Sequence, residues 1–204
     1  MYNNHMKSKW IADSSVYPGV IFEDITHTFI EPGAKIEPGC YIEVLVRIDS
    51  KSTIKENTKI FQGSIIKESV IGAESIIGQY TLIRNNTILL GKNVIGPQSE
   101  ISDSTFHEGA SAYHKAFVSN SSIGEGTQIG ASFITANSWH DGNKYDSTIG
   151  ENVKIGVNVT LVAPVNIERN SIIAAGSTIT DEVKENEIAF ARARQVNKGA
   201  KNEK

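Results

Sequence analysis

Aliphatic residues recur in this chain every six positions. Ile30, Ile36, Ile42, Ile48, Ile54, Ile60 and Ile66 form one run, and Ile71, Ile77, Ile83, Leu89, Ile95 and Ile101 form a second. A third stretch, from Ile149 to Lys184, reads IGENVK, IGVNVT, LVAPVN, IERNSI, IAAGST, ITDEVK. An α-helix repeats its apolar face at about 3.6 residues and a flat strand at about 2, so neither alone accounts for the spacing. The period predicts an all-β fold, a parallel β-helix in which three short strands make one triangular coil and each coil stacks on the last. Four places after each aliphatic comes a small or β-branched residue, among them Ala34, Cys40, Val46, Ser52, Thr58 and Ser64. That position is expected to face inward beside a corner, where only a small side chain fits. Pro-Gly at 32–33 and 38–39 suits tight turns between the strands.

The expected organisation is a single solenoid domain over 30–184. Residues 1–29, with Trp10, Val16, Tyr17, Val20, Ile21 and Phe22 in poor phase, read as an irregular N-terminal cap over the first coil. Residues 185–204 leave the repeat and end in a polar, Lys-rich tail. One residue is dropped between Ile66 and Ile71, a local slip comparable to a bulge. The period degrades in HEGASAYHKAFVSN, residues 107–120, and breaks in TANSWHDGNKYDST, residues 135–148. Chemistry is expected at these two interruptions, because a regular β-helix face carries little.

Composition narrows the function. The net charge of −3 offers no basic surplus for a nucleic-acid backbone, so no nucleic-acid partner is expected. Cys40, the single cysteine, forms no intrachain disulfide or zinc cluster and sits in a small-residue slot, where inert packing is expected. The start, MYNNHMKSKW, lacks the apolar run of a signal peptide, and no uninterrupted apolar span is long enough for a bilayer. A cytoplasmic protein with no membrane partner is the expectation.

Several segments outside the generic hexad carry a resemblance. SVIGAESIIGQYTLIR, YHKAFVSNSSIGEGTQIGASFITANSWHDGNKYDSTIG, TLVAPV, IIAAGSTIT and ARARQ resemble the acetyltransferase domain of bacterial bifunctional N-acetylglucosamine-1-phosphate uridyltransferase/glucosamine-1-phosphate acetyltransferases, over roughly residues 65–196. That family's nucleotidyltransferase domain has no counterpart here. The resemblance implies left-handed coiling, against the usual crossover rule, and a homotrimer with sites between neighbouring subunits. It implies acetyl-CoA as acyl donor, an amino sugar or amino-sugar phosphate as acceptor, and no metal. His114 falls on the general base that takes the amine proton, a step for which a neutral imidazole is suited.

By the same resemblance Arg84 and Glu100 contact the sugar phosphate and amino sugar, and Asn137 and Lys144 match sugar-binding and phosphate-side positions. Ala131 matches a backbone N–H donor to the oxyanion. Ala174, Ala175 and Gly176 line the pantetheine arm, and Arg192 meets a CoA phosphate. The chain departs from the pattern at Ser102 for a Lys, Phe117 for a Tyr, Gln128 for an Asn and Val157 for a Ser. Losing an ammonium and a phenol where a phosphate sits points to an acceptor without that phosphate, or carrying it elsewhere. Two other readings stand beside this one. A non-catalytic solenoid binding a sugar nucleotide or a partner protein would keep His114 by descent. His107, His114 and His140 would be the metal ligands of a γ-class carbonic anhydrase, although their spacing does not resemble that family's close His pair.

Overall fold

In the computed structural model, which describes residues 15–198, the chain coils into three parallel β-sheets of ten, nine and eight strands. The expected cap is therefore seen only from residue 15, and Trp10 and the end of the tail lie outside the described residues. Successive strands pass from sheet to sheet: Tyr41–Ile42 in the ten-stranded sheet, Arg47–Ile48 in the nine-stranded, Thr53–Ile54 in the eight-stranded, then Lys59–Ile60 in the first again. The arrangement matches a left-handed parallel β-helix. Ile42 pairs with Ile60 and Ile48 with Ile66, so each rung stacks on its equivalent one coil away, at about 4.8 Å. These rungs are fully buried. The only helical element among the described residues is a 3-10 turn at Ile25–His27.

The small inward residues do more than fill space. The hydroxyls of Thr58, Ser64 and Thr81 donate to the carbonyls of Gly72, Gly78 and Gly96 at 3.0, 2.7 and 3.0 Å, tying each corner to the next coil. A buried hydroxyl is tolerated only with such a partner. Most corners turn through a left-handed residue, and Asn57, Asn152, Asn158 and Asn170, with φ between 55° and 59°, supply it at little cost.

The expected interruption at 107–120 is not one. Ser111–Ala112 pairs with Val94–Ile95 and Phe117–Ser119 with Glu100–Ser102, and Ala112 and Val118 are fully buried in the rung columns of Ile95 and Ile101. The coil merely has 17 residues, as in the pairing of Ile101 with Val118, and uses Ala and Val where Ile would have shown the period. At 135–148 the chain does leave the prism after Ala136: Ile123 pairs with Ile149, with a hairpin between them. The ladder also exceeds 30–184 at both ends. Ile21–Phe22 pairs with Tyr41–Ile42 before it, and Ile188–Ala189 pairs with Ile172–Ile173 after it. No helix among the described residues is long and apolar enough to cross a membrane.

Candidate active site

His114 lies at the corner where the ten-stranded sheet hands over to the nine-stranded one, between Ser111–Ala112 and Phe117–Ser119. It is exposed, and the turn closes through Lys115 at φ 59°. Corners stack above it in backbone-bonded steps. Ser132 donates its N–H to His114 O at 2.8 Å, Asn158 to Ala131 O at 2.8 Å, and Gly176 to Val157 O at 2.9 Å. His114, Ala131, Val157 and Ala175 thus climb one edge of the prism, three coils or about 14 Å from first to last. The Ala131 N–H has no backbone acceptor among the described residues. A Cβ on Gly176 would meet nothing within 4 Å, so the edge beside Ala174 and Ala175 is open.

Below His114 the packing is close. A Cβ on Gly96 would lie 2.8 Å from His114 N and 3.1 Å from Nδ1. Gly96 therefore seats the imidazole, a role the sequence signalled only as one more corner glycine. Neither ring nitrogen has a hydrogen-bond partner among the described residues. Arg192 is exposed, next to Ala191, whose carbonyl accepts from Thr178 N at 3.0 Å, which brings the segment alongside the last strand of the nine-stranded sheet.

Arg84 and Glu100 lie on the outer face of that same sheet. Arg84 Nε and Nη2 donate to one oxygen of Glu100, at 3.0 and 2.8 Å, and each side chain is about one third exposed. Register sets Arg84 beside Ser102 and Glu100 beside Phe117. Ser102 is buried and donates its hydroxyl to Asp103 at 2.8 Å. Gln128 sits across the corner in the ten-stranded sheet, paired with Ser111.

Asn137 and Lys144 belong to the opposite edge, where the nine-stranded sheet passes to the eight-stranded. Asn137 is buried, and its amide donates to Ser119 Oγ at 3.2 Å and Asn120 Oδ1 at 2.8 Å, which makes it part of the scaffold. Lys144 is exposed on a hairpin closed by the Ser138–Lys144 bridge and pinned by Trp139 Nε1 donating to Ala163 O at 2.6 Å. Asp141 organises the hairpin tip: the Asn143 N–H, its side-chain amide and the Tyr145 hydroxyl hold the carboxyl below its usual range. Along this edge runs a polar groove of about 420 Å³ whose lining includes Asn86, Asp103, Asn120 and Asp146.

The chain therefore gathers His114, Ala131, Ala174 and Ala175 on one edge and Arg84 with Glu100 on the adjoining face. It leaves Lys144 on the far edge. The three histidines go to three different corners: His107 follows Thr105–Phe106, and His140 is in the hairpin. Among the described residues these three histidines form no common ligand set.

Comparison with known proteins bears on this geometry. Residues 146–181 match the bacterial transferase hexapeptide family, described as six repeats, and residues 24–95 match the GMPPB C-terminal domain. Residues 146–181 thus match the same six-residue repeat that builds the coils. The chain is 44% identical over 112 residues to the bifunctional protein GlmU of Exiguobacterium sp., covering 54% of this chain and 24% of that protein. GlmU of Staphylococcus epidermidis is 43% identical over 111 residues, covering 53% and 24%. This hexapeptide-repeat chain thus spans about a quarter of the length of the curated relatives it matches. Among solved structures, the polySia specific acetyltransferase NeuO is similar at 16% identity and a TM-score of 0.44, covering 87% of each chain. The UDP-N-acetylglucosamine acyltransferase from Campylobacter jejuni is similar at 18% and 0.46, covering 86% and 71%.

Proposed function

We propose that the chain is an acetyl-CoA-dependent N-acetyltransferase for an amino sugar, working as a homotrimer with His114 as general base. The observation that carries the reading is the stack of His114, Ala131 and Ala175 on one edge. It sets a base, an unengaged N–H and a smooth wall for an extended pantetheine arm in line. The acceptor nitrogen attacks the thioester carbonyl carbon, and the C–N bond forms as the Ala131 N–H receives the oxyanion. His114 takes the proton released by the amine. The intermediate then collapses with cleavage of the C–S bond, and the imidazolium returns the proton to the departing CoA thiolate. No acyl-enzyme is required once the two substrates are held together.

The charges on the adjoining face favour an acceptor without a phosphate there. Arg84 is already neutralised by Glu100, and Ser102, in place of a cation, faces the Asp103 carboxylate. Lys144 is on the far edge of the face, from which it serves a neighbouring subunit of the trimer. The test is CoA release with a panel of amino sugars, their 1- and 6-phosphates and their UDP conjugates. Unphosphorylated amino sugars should be the best acceptors. His114→Ala should lower the rate by roughly 10²–10⁴ with the fold intact. Full activity in that variant would sink the assignment, and absence of any thermal shift with acetyl-CoA would favour a binding scaffold instead.

A further inference from the structure

Beside His114 the corner carries a bulky residue between two glycines. One coil apart, the position that opens this corner is Phe61, Gly78, Gly96, Tyr113, Gly130, Gly156 and Ala174 in turn, so Tyr113 stands between glycines. The glycines have a steric cause. A Cβ on Gly78, Gly130 or Gly156 would lie 2.4, 2.7 or 2.5 Å from the backbone of the next coil. Tyr113 nonetheless holds the ladder, donating its N–H to Ile129 O at 2.9 Å and accepting from Ser99 Oγ at 3.2 Å. Its side chain is 41% exposed and pairs with no other aromatic ring among the described residues. Gly96 and Gly130, on either side, have no side chain with which to cover it.

We propose that Tyr113 is a specificity-determining residue whose ring stacks on the C–H face of the acceptor's sugar ring, holding the amine at His114. The proposal deepens the amino-sugar reading and rests on His114 marking the transfer site. A tyrosine ring offers a flat apolar face with a polar edge, and it fixes only two torsions on binding. A pyranose presents a matching apolar face bordered by hydroxyls. Gly96 and Gly130 place no side chain on either side of the ring to block the approach of that face. A rigid anchor one residue from the base also restricts where the nitrogen falls, which is what direct transfer needs.

The test measures saturation transfer to the ring protons of glucosamine in the presence of CoA, for wild type, Tyr113→Gly and Tyr113→Phe. Glucosamine affinity should fall about tenfold in the Gly variant and stay within about threefold of wild type in the Phe variant. Affinity for acetyl-CoA and sedimentation should be unchanged in both. Equal saturation in wild type and Tyr113→Gly would overturn the proposal, as would no saturation by the wild type. A change of oligomeric state in Tyr113→Gly would overturn it too, by placing the ring between subunits. If glucosamine contact depends on the ring while CoA release is absent, acetyl transfer fails and the Tyr113 assignment holds. If CoA release is intact and the acceptor KM is the same in Tyr113→Gly, the reverse is true.

Discussion

Glu100 offsets the positive charge of Arg84 on the outer face of the nine-stranded sheet. Its carboxylate takes two hydrogen bonds from Arg84 at one oxygen, and with both groups about one third exposed the pair is partly screened by water. The neighbouring hydroxyl of Ser102 adds no charge and is directed to Asp103. Replacing Glu100 by Gln keeps the shape and releases the guanidinium, whose fork suits phosphate geometry. In Glu100→Gln the preference for a phosphorylated over an unphosphorylated amino sugar should rise about tenfold, equivalent to one strong charged hydrogen bond. Competition between the two acceptors in one assay reads this directly. An unchanged ratio would mean that Arg84 is not what the acceptor meets.

The short elements at the start of the solenoid depend on Asp24. It caps the 3-10 turn Ile25–His27, accepting from the Thr26 hydroxyl at 2.6 Å, the Thr26 N–H at 2.8 Å and the His27 ring at 2.7 Å. Those bonds, the Thr26 hydroxyl foremost, pull its carboxyl from 3.8 to about 2. A carboxyl with a depressed folded-state pKa contributes stability that is complete above its unfolded value and lost as the pH falls through the folded one. Between about pH 4 and pH 2 the first coil should therefore loosen, and hydrogen exchange at Phe29 and Leu45, which donate to Val46 O and His27 O, should report it. Asp24→Asn should weaken protection at neutral pH and flatten that dependence. A wild type and variant with parallel acid profiles would contradict it.

The same turn explains what the hexads concealed. It sets the inward Phe22 and Ile30 eight positions apart instead of six, so the first strand looked like an unphased cap. Ala112 and Val118 hid a 17-residue coil in the same way, since a small inward residue satisfies the prism without marking the period. Val183 falls only four places after Ile179, pairing with Ile167 sixteen residues before it, and Ala189 beyond it is too small to register as a rung. Wherever Ile filled the rung, the sequence and the coil agree. His114 and the alanines of its edge were legible through flanking motifs. The Arg84–Glu100 pair and the internal bonds of Asn137 were not, because they depend on register between coils.

At the scale of the whole molecule, the last turn has a structural role and, on the proposed function, a binding one. Ile172, Ala174 and Thr178 donate to Glu187, Ala189 and Ala191 at 2.9, 3.0 and 3.0 Å, so residues 187–191 cover strand edges that would otherwise be open. Arg192 follows directly, exposed and free to turn toward an anion beside Ala174 and Ala175. Two variants separate the roles. A chain stopped after Lys184 loses these backbone bonds and the cover over Ile173, so its melting temperature should fall by several degrees along with acetyl-CoA affinity. Arg192→Ala removes only the charge: the melting temperature should hold while acetyl-CoA affinity drops about tenfold, an effect that shrinks as salt screens the phosphate. Isothermal titration at low and high ionic strength measures both. If Arg192→Ala binds acetyl-CoA as tightly as the wild type at low salt, the last turn is a structural cap alone and the CoA wall ends at Gly176.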